Sequence, residues 1–269
     1  MNRYYNRIHN ISRKISIYPD LERSKSILNY KMHMVNELTT RKLGIHKLGI
    51  HRPHIYHNLS YKELLNHEIK NNEGKLLNTK YGYTYSVDTG IFTGRSPKDK
   101  WIVKNIESEN NIHWGNNNQA INGEVFSDLY DQAIKHFNKL DNMYVYDGYC
   151  GSNINSRKNI RFIHEMSWQQ HFVKNMFIRP KKDDLHNFTP DFTIINACSI
   201  KNKNWEQHGL NSDVAIAFNI ERKIGIILGT WYGGENKKGI FSLMNYWLPL
   251  NNIMTMHCSA NIGDKEDTA

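Results

Sequence analysis

Apolar runs of strand length dominate the second half of this sequence. Three of them, at 192–197, 214–220 and 224–229, read FTIINA, VAIAFNI and IGIILG. Runs of four to eight apolar residues between turn signals predict buried strands. Between 125 and 140, apolar residues recur at steps of three and four, which predicts an amphipathic helix. Strands alternate with helices but also occur in consecutive pairs, so we expect an α/β fold with a mixed sheet.

Weaker patterns complete this outline of the fold. Ser60 and Glu63 have the spacing of a capping box and predict a short helix after them. Further strands are expected at 81–87, 101–106, 143–146 and 160–164, and further helices at 167–178 and 238–247.

The positive charge of the chain is concentrated near its start. Residues 1–70 contain 13 Lys/Arg and five Asp/Glu, which is +8 of the total formal charge of +9. The total charge alone favours a basic nucleic-acid-binding protein. Because the rest of the chain is nearly neutral, however, we expect no nucleic-acid partner. We expect residues 1–43 to be a disordered, basic low-complexity extension. A stretch without acids at 1–19 also resembles an organellar transit peptide.

The histidines in and beside this extension do not indicate a metal site, and the cysteines of the chain do not indicate a disulfide framework. His46, His51, His54 and His57 lie in and beside a tandem KLGIH repeat, and we interpret them as low-complexity filler. The three cysteines are widely spaced and odd in number, which favours a reducing compartment such as the cytoplasm. No apolar run approaches the ~18 residues that span a bilayer, so no membrane association is expected.

The first segment with possible chemistry is TGRSPKDK at 93–100. Gly and Pro favour a turn, and Arg95, Lys98 and Lys100 bring three cations into six residues. A guanidinium suits bidentate recognition of a carboxylate. The same pattern is also typical of a solvated surface turn.

The second such segment is GTWYGGENKKG at 229–239, after a predicted strand. Glycine lets a backbone approach a ligand closely, and a helix amino terminus attracts anions. The segment fits neither of the common nucleotide-binding glycine patterns, and a tight turn with two surface lysines, Lys237 and Lys238, explains it equally well. A third segment, MHCSAN at 256–261, contains His257, which could be a core histidine or a metal ligand.

These segments share their order with one enzyme family. DTGIFTGRSPKDK at 88–100 and GTWYGGENKKGIF at 229–241 are joined by DGYCG at 147–151, RFI at 161–163 and the stretch 168–180. Together they resemble the ATP-dependent phosphoenolpyruvate carboxykinases over residues 44–269; the GTP-dependent enzymes lack the RSPKDK signature. The resemblance implies the family's mixed-sheet amino-terminal domain at 44–253 and the start of its nucleotide-binding domain at 254–269.

The resemblance also implies an activity. Enzymes of this family decarboxylate oxaloacetate to an enolate and transfer the γ-phosphoryl group of ATP to the enolate oxygen, which yields phosphoenolpyruvate for gluconeogenesis. The implied ligands are oxaloacetate, phosphoenolpyruvate and ATP, with Mn²⁺ and Mg²⁺ as cofactors. Because negative charge accumulates at each step, such a site needs fixed cations and metal.

Individual roles follow from the resemblance alone. Arg95 is expected to bind the substrate carboxylate or the released carbon dioxide, and Tyr232 to contact the substrate. Lys237 is expected to face the nucleotide phosphates. Lys238 and His257 are expected to bind Mn²⁺ and to contribute to nucleotide binding, and Lys238 also to contact the substrate. A lysine ligand must be a neutral amine, so the pKa of Lys238 has to fall below ~10.4. Arg95, Lys237, Lys238 and His257 are the expected catalytic residues.

The sequence departs from the family pattern in two ways. Trp101, His164, Met166 and Asn236 replace the usual residues inside the signatures. The sequence ends at DTA, 267–269, where the family continues with a phosphate-binding loop. We therefore expect a chain without its nucleotide-binding domain and with negligible turnover alone. The alternative is a non-catalytic dicarboxylate-binding remnant that keeps Arg95 and Tyr232.

Overall fold

A computed structural model describes residues 21–269 of the chain. Its first element is helix α1, Leu21–Lys42, which corrects the prediction of disorder for that part of residues 1–43. No Gly or Pro interrupts this stretch. The helix is anchored by Asn36, which is buried and donates a hydrogen bond from Nδ2 to the Pro53 carbonyl at 2.7 Å. Residues 1–20, with the transit-like stretch, lie outside the described residues.

Eight strands form one mixed sheet, and two more form a separate antiparallel hairpin. The strands are β1 (His54–His57), β2 (Gly74–Thr79), β3 (Gly82–Val87), β4 (Lys100–Val103), β5 (Gln119–Ile121), β6 (Asn142–Cys150), β7 (Lys158–His164), β8 (Phe192–Ala197), β9 (Ala215–Asn219) and β10 (Ile224–Leu228). The sheet order is β1-β6-β7-β8-β10-β9-β4-β5, and β2 pairs with β3. The pairs β6–β7 and β9–β10 are antiparallel and the other pairs of the sheet are parallel, which confirms the expected mixed sheet.

Helices cover both faces of this sheet. They are α2 (Tyr61–Lys70), α3 (Gly123–Phe137), α4 (Ser167–Met176) and α5 (Gly234–Trp247). Neighbouring residues of a strand point to opposite faces. Ile195 of β8 accordingly packs in the apolar cluster with Phe126 of α3, and Ile194 packs in the cluster with Ile240 of α5. No helix within residues 21–269 has the length and apolar character needed to cross a bilayer.

Most of the expected elements are present in the structure, including the weaker strands expected at 81–87, 101–106, 143–146 and 160–164 and the helix expected at 167–178. The capping box at Ser60 is present, and the strands expected at 192–197, 214–220 and 224–229 lie within a residue or two of their predicted ends. Helix α5, however, begins at Gly234 instead of 238. Strands β1, β2 and β5 were not expected, because they are short and their apolar residues do not form a clear pattern.

The histidines of β1 correct another expectation. His54 and His57 are ordered strand residues, paired with Asn142 and Val145 of β6. His57 Nε2 lies 2.9 Å from Oδ2 of the fully buried Asp147. The interpretation of these two residues as low-complexity filler is therefore wrong.

Candidate active site

The cation-bearing segment 93–100 is fastened to the first turn of α5. The backbone N–H of Ser96 donates to Oε1 of Glu235 at 2.6 Å. Glu235 is buried, and burial raises the pKa of its carboxyl, an effect opposed by the Ser96 N–H and the Arg95 charge. This hydrogen bond joins residues 139 positions apart and holds Arg95 beside the helix that carries the two lysines.

The glycine-rich turn before α5 owes its shape to two glycines. Gly229 has φ of +76°, in the left-handed region that favours glycine. At Gly234, a Cβ atom would lie 2.5 Å from Cε1 of Tyr232 and 3.5 Å from Cγ of Arg95. Any side chain at 234 would therefore collide with the tyrosine ring. Because Gly234 has none, Tyr232 and Arg95 both pack against this point.

Lys238 and His257 form a second group at the same end of α5. Lys238 Nζ lies 3.2 Å from His257 Nε2. The Phe241 ring packs against both, with Lys238 Nζ at 4.4 Å and the His257 ring at 5.1 Å from its centroid. Desolvation lowers the pKa of Lys238, and the charges of Lys237 and Arg95 lower it further. A lower pKa makes it easier for Lys238 to lose the proton that it would have to give up on binding a metal.

These groups share a cavity of about 260 Å³ beside strand β9. Arg95, Lys238 and His257 line it, so three of the five expected site residues meet although the sequence separates them widely. Tyr232 borders Arg95 at Gly234 but is not part of the cavity wall. Lys237 is exposed on α5 and does not line the cavity either.

Two further charged residues of the cavity were not singled out from the sequence. Lys100, the first residue of β4, and Glu235 both line it. Lys100 was one of three cations in the segment 93–100, and nothing in their spacing distinguishes it from Lys98, which is exposed. Glu235 looks like an ordinary acidic residue in the first turn of a helix, where the helix dipole favours it. Their contacts depend on the fold.

The donor set for a metal ion is small within the described part of the chain. Residues 21–269 contain no group of three or more His, Cys, Asp or Glu side chains that could hold a cation. Among the nitrogen-bearing side chains that line the cavity, the Lys238 amine and the His257 imidazole lie 3.2 Å apart, close enough to share one metal ion. They fit two positions of a divalent metal, and water or ligand oxygens would have to supply the others.

Positive charge predominates among the charged residues of the cavity. Arg95, Lys100 and Lys238 line one cavity in which Glu235 is the only acidic residue. The fold and this cavity define an α/β protein with a mostly cationic cavity between helix α5 and the interior strands β9 and β4 of a mixed sheet. The family model for phosphoenolpyruvate carboxykinase matches residues 53–269, and the chain belongs to that family.

Similar proteins carry the same name. A phosphoenolpyruvate carboxykinase (ATP) of Campylobacter lari is 58% identical over 191 residues, which cover 71% of this chain and 36% of that protein. The corresponding protein of Sulfurimonas denitrificans is 54% identical over 68% of this chain and 35% of its own length. That of Leptospira biflexa is 52% identical over 72% and 37%. The matched region thus spans little more than a third of the relatives' length.

Proposed function

We propose that this chain is part of an ATP-dependent phosphoenolpyruvate carboxykinase and contributes the substrate side of its active site. The reaction decarboxylates oxaloacetate and phosphorylates the resulting enolate with ATP to give phosphoenolpyruvate, a gluconeogenic step. Because the chain corresponds to about a third of the relatives' length, the activity of the whole protein is inferred from the family and the site together.

One observation carries this proposal. Arg95, Lys238 and His257 come from three separate segments and line the same cavity, although no pattern in the sequence requires them to meet. Fixed cations in a preorganised cavity stabilise anionic substrates and the charge that develops during decarboxylation and phosphoryl transfer. A solvated surface turn, the simpler interpretation of segment 93–100, would not face a cavity shared with α5.

Each residue has a role that its position supports. Arg95 binds a carboxylate of oxaloacetate, for which its planar guanidinium is well suited. Tyr232, packed beside Arg95 at Gly234, contacts the same substrate. Lys237, exposed on α5, is free to meet the phosphates of a nucleotide, and Lys238 contacts both substrate and nucleotide.

A divalent metal would be held by the Lys238 amine and the His257 imidazole. When bound, Mn²⁺ or Mg²⁺ neutralises charge on the phosphates and the enolate. Two nitrogen donors favour Mn²⁺ over Mg²⁺, which prefers oxygen ligands.

All three cysteines of the chain are unpaired, as expected in a reducing compartment such as the cytoplasm.

The substrate-binding part of the proposal can be tested on the 269-residue chain itself. Oxalate is a stable dicarboxylate that can replace the chemically labile oxaloacetate. We expect calorimetry in metal-free buffer to detect saturable oxalate binding, since oxalate also chelates Mn²⁺. Loss of a charged hydrogen-bond partner costs about 1.5–3 kcal/mol, so Arg95→Gln should weaken binding at least about tenfold.

The matched control is Lys98→Gln, which removes one positive charge from the same segment at an exposed position outside the cavity. We expect it to bind oxalate like the unaltered chain. Absence of saturable binding by the unaltered chain, or equal effects of the two substitutions, would contradict the proposed substrate site.

A further inference from the structure

The fold separates three cations that look equivalent in the sequence. Arg95, Lys98 and Lys100 lie within six residues of each other. Lys98 is exposed and does not line the cavity. Lys100 is half-buried at the start of β4 and faces the cavity together with Arg95 and Lys238. The position of Lys100 in the sheet therefore directs a third positive charge toward the site.

The ammonium group of Lys100 has little compensation from the protein. Its Nζ donates one hydrogen bond, to Oδ1 of Asn118 at 3.1 Å. Among residues 30–269, where ion pairs are described, Lys100 has no carboxylate within ion-pair distance. Burial lowers the pKa of Lys100 and the Arg95 charge lowers it further, while the charge of Glu235 opposes both effects without outweighing them. A lysine has three N–H donors, so two are available to a ligand.

The charges around the cavity do not balance. When no metal is bound at Lys238, three cations, Arg95, Lys100 and Lys238, face the single carboxylate of Glu235, and one oxygen of that carboxylate accepts the Ser96 N–H. A partly enclosed cavity with an excess of one sign of charge concentrates the opposite sign. A ligand with two negative charges would restore the balance, whereas a monoanion would leave an excess.

We propose that Lys100 is a substrate-binding residue that holds the second carboxylate of the dicarboxylate bound by Arg95. The inference rests on the proposed function and assigns a role to a residue outside the set expected from the family resemblance. The two cations suit different groups. Arg95 can form two parallel hydrogen bonds to one carboxylate, while Lys100 offers a compact charge to the other.

The experiment compares Lys100→Gln with Lys98→Gln in the full 269-residue chain, by oxalate titration in metal-free buffer. Each substitution removes one positive charge, and the two positions are two residues apart, so a general effect of net charge would appear in both. A glutamine at position 100 also keeps an N–H donor for Asn118. We expect Lys100→Gln to weaken oxalate binding at least tenfold and Lys98→Gln to change it less than about twofold, given ~1.5–3 kcal/mol for a charged hydrogen bond.

Thermal unfolding of both variants shows whether they remain folded. If Lys100→Gln does not fold, Lys100→Met serves as a second variant, and it should weaken oxalate binding at least about tenfold because it keeps an unbranched side chain without the charge. Equal oxalate affinity in Lys100→Gln and Lys98→Gln would overturn the role of Lys100 and leave the proposed function intact. No oxalate binding by the unaltered chain would overturn both.

Discussion

At the scale of single residues, a buried ion pair holds one side of the sheet together. Asp147 of β6 is fully buried and accepts two hydrogen bonds from Arg161 of β7, at 2.7 and 2.8 Å. His57 of β1 reaches the same carboxylate, and Arg161 Nη1 also donates to the Leu43 carbonyl. Burial alone would raise the pKa of Asp147, but the hydrogen bonds from Arg161 and His57 lower it, so the carboxylate stays charged.

Removing one partner of this pair should be strongly destabilising. We expect Arg161→Met to lower the free energy of unfolding by about 3–5 kcal/mol, because it leaves a buried carboxylate without its cation. Urea unfolding followed by circular dichroism measures the change. The control is Arg52→Met, an exposed arginine, with an expected change within about 0.5 kcal/mol. A loss below about 1 kcal/mol in Arg161→Met would mean that water replaces the guanidinium.

At the scale of elements, helix α5 joins the sheet to the site. It packs on β9 at Gly239, where an added Cβ would lie 2.5 Å from Cζ of the Phe218 ring. Its neighbour Lys238 faces the cavity. Close contact between the helix and the strand therefore sets the position of a site residue, and a bulkier residue at 239 would have to move the helix.

This contact reverses the usual effect of alanine in a helix. Gly→Ala in a helix interior normally stabilises by about 0.5–1 kcal/mol. We expect Gly239→Ala instead to destabilise by about 1–3 kcal/mol, the typical cost of overpacking, and to weaken oxalate binding because Lys238 shifts. Gly123→Ala is the matched control, since Gly123 is the first residue of α3 and has open space around it. Stabilisation of both variants in urea unfolding would refute the packing argument.

Helix starts illustrate what local sequence can predict. The capping box of α2 was predictable, because Ser60 and Glu63 are three residues apart and bond to each other's backbone. The cap of α4 was not. There Glu73 accepts the N–H groups of Ser167 and Trp168, at 3.0 and 2.8 Å, from more than 90 residues away. No window along the sequence contains both partners of that cap.

At the scale of the whole molecule, the cavity lies where distant parts of the chain meet. Ile216 and Phe218 of β9 form its floor, α5 supplies Lys238, and His257 comes from the exposed segment after α5. The matched relatives are nearly three times as long as the region they share with this chain. About two thirds of each relative therefore lies outside the matched region.

The difference in length between the matched region and the relatives predicts how the 269-residue chain behaves by itself. We expect it to bind oxalate but to form phosphoenolpyruvate from oxaloacetate and ATP at a negligible rate, because positioning of the triphosphate supplies most of the catalysis in phosphoryl transfer. A coupled assay of phosphoenolpyruvate, with Mn²⁺ and Mg²⁺ present, measures the rate. The denatured chain provides the background. Robust turnover by the folded chain would refute this expectation.

The sequence by itself determined the strands that are continuously apolar, the amphipathic helix α3, the mixed sheet and the family, because these depend on periodicity and on the order of short segments. It also identified Arg95, Lys238 and His257 as site candidates. Only the tertiary structure decided that these three share a cavity, that Lys100 joins them while Lys98 stays in solvent, and that His57 contacts a buried carboxylate. Such contacts join residues far apart in the chain. The pairing of strands and the packing of α5 bring these residues together, and local patterns in the sequence do not encode either.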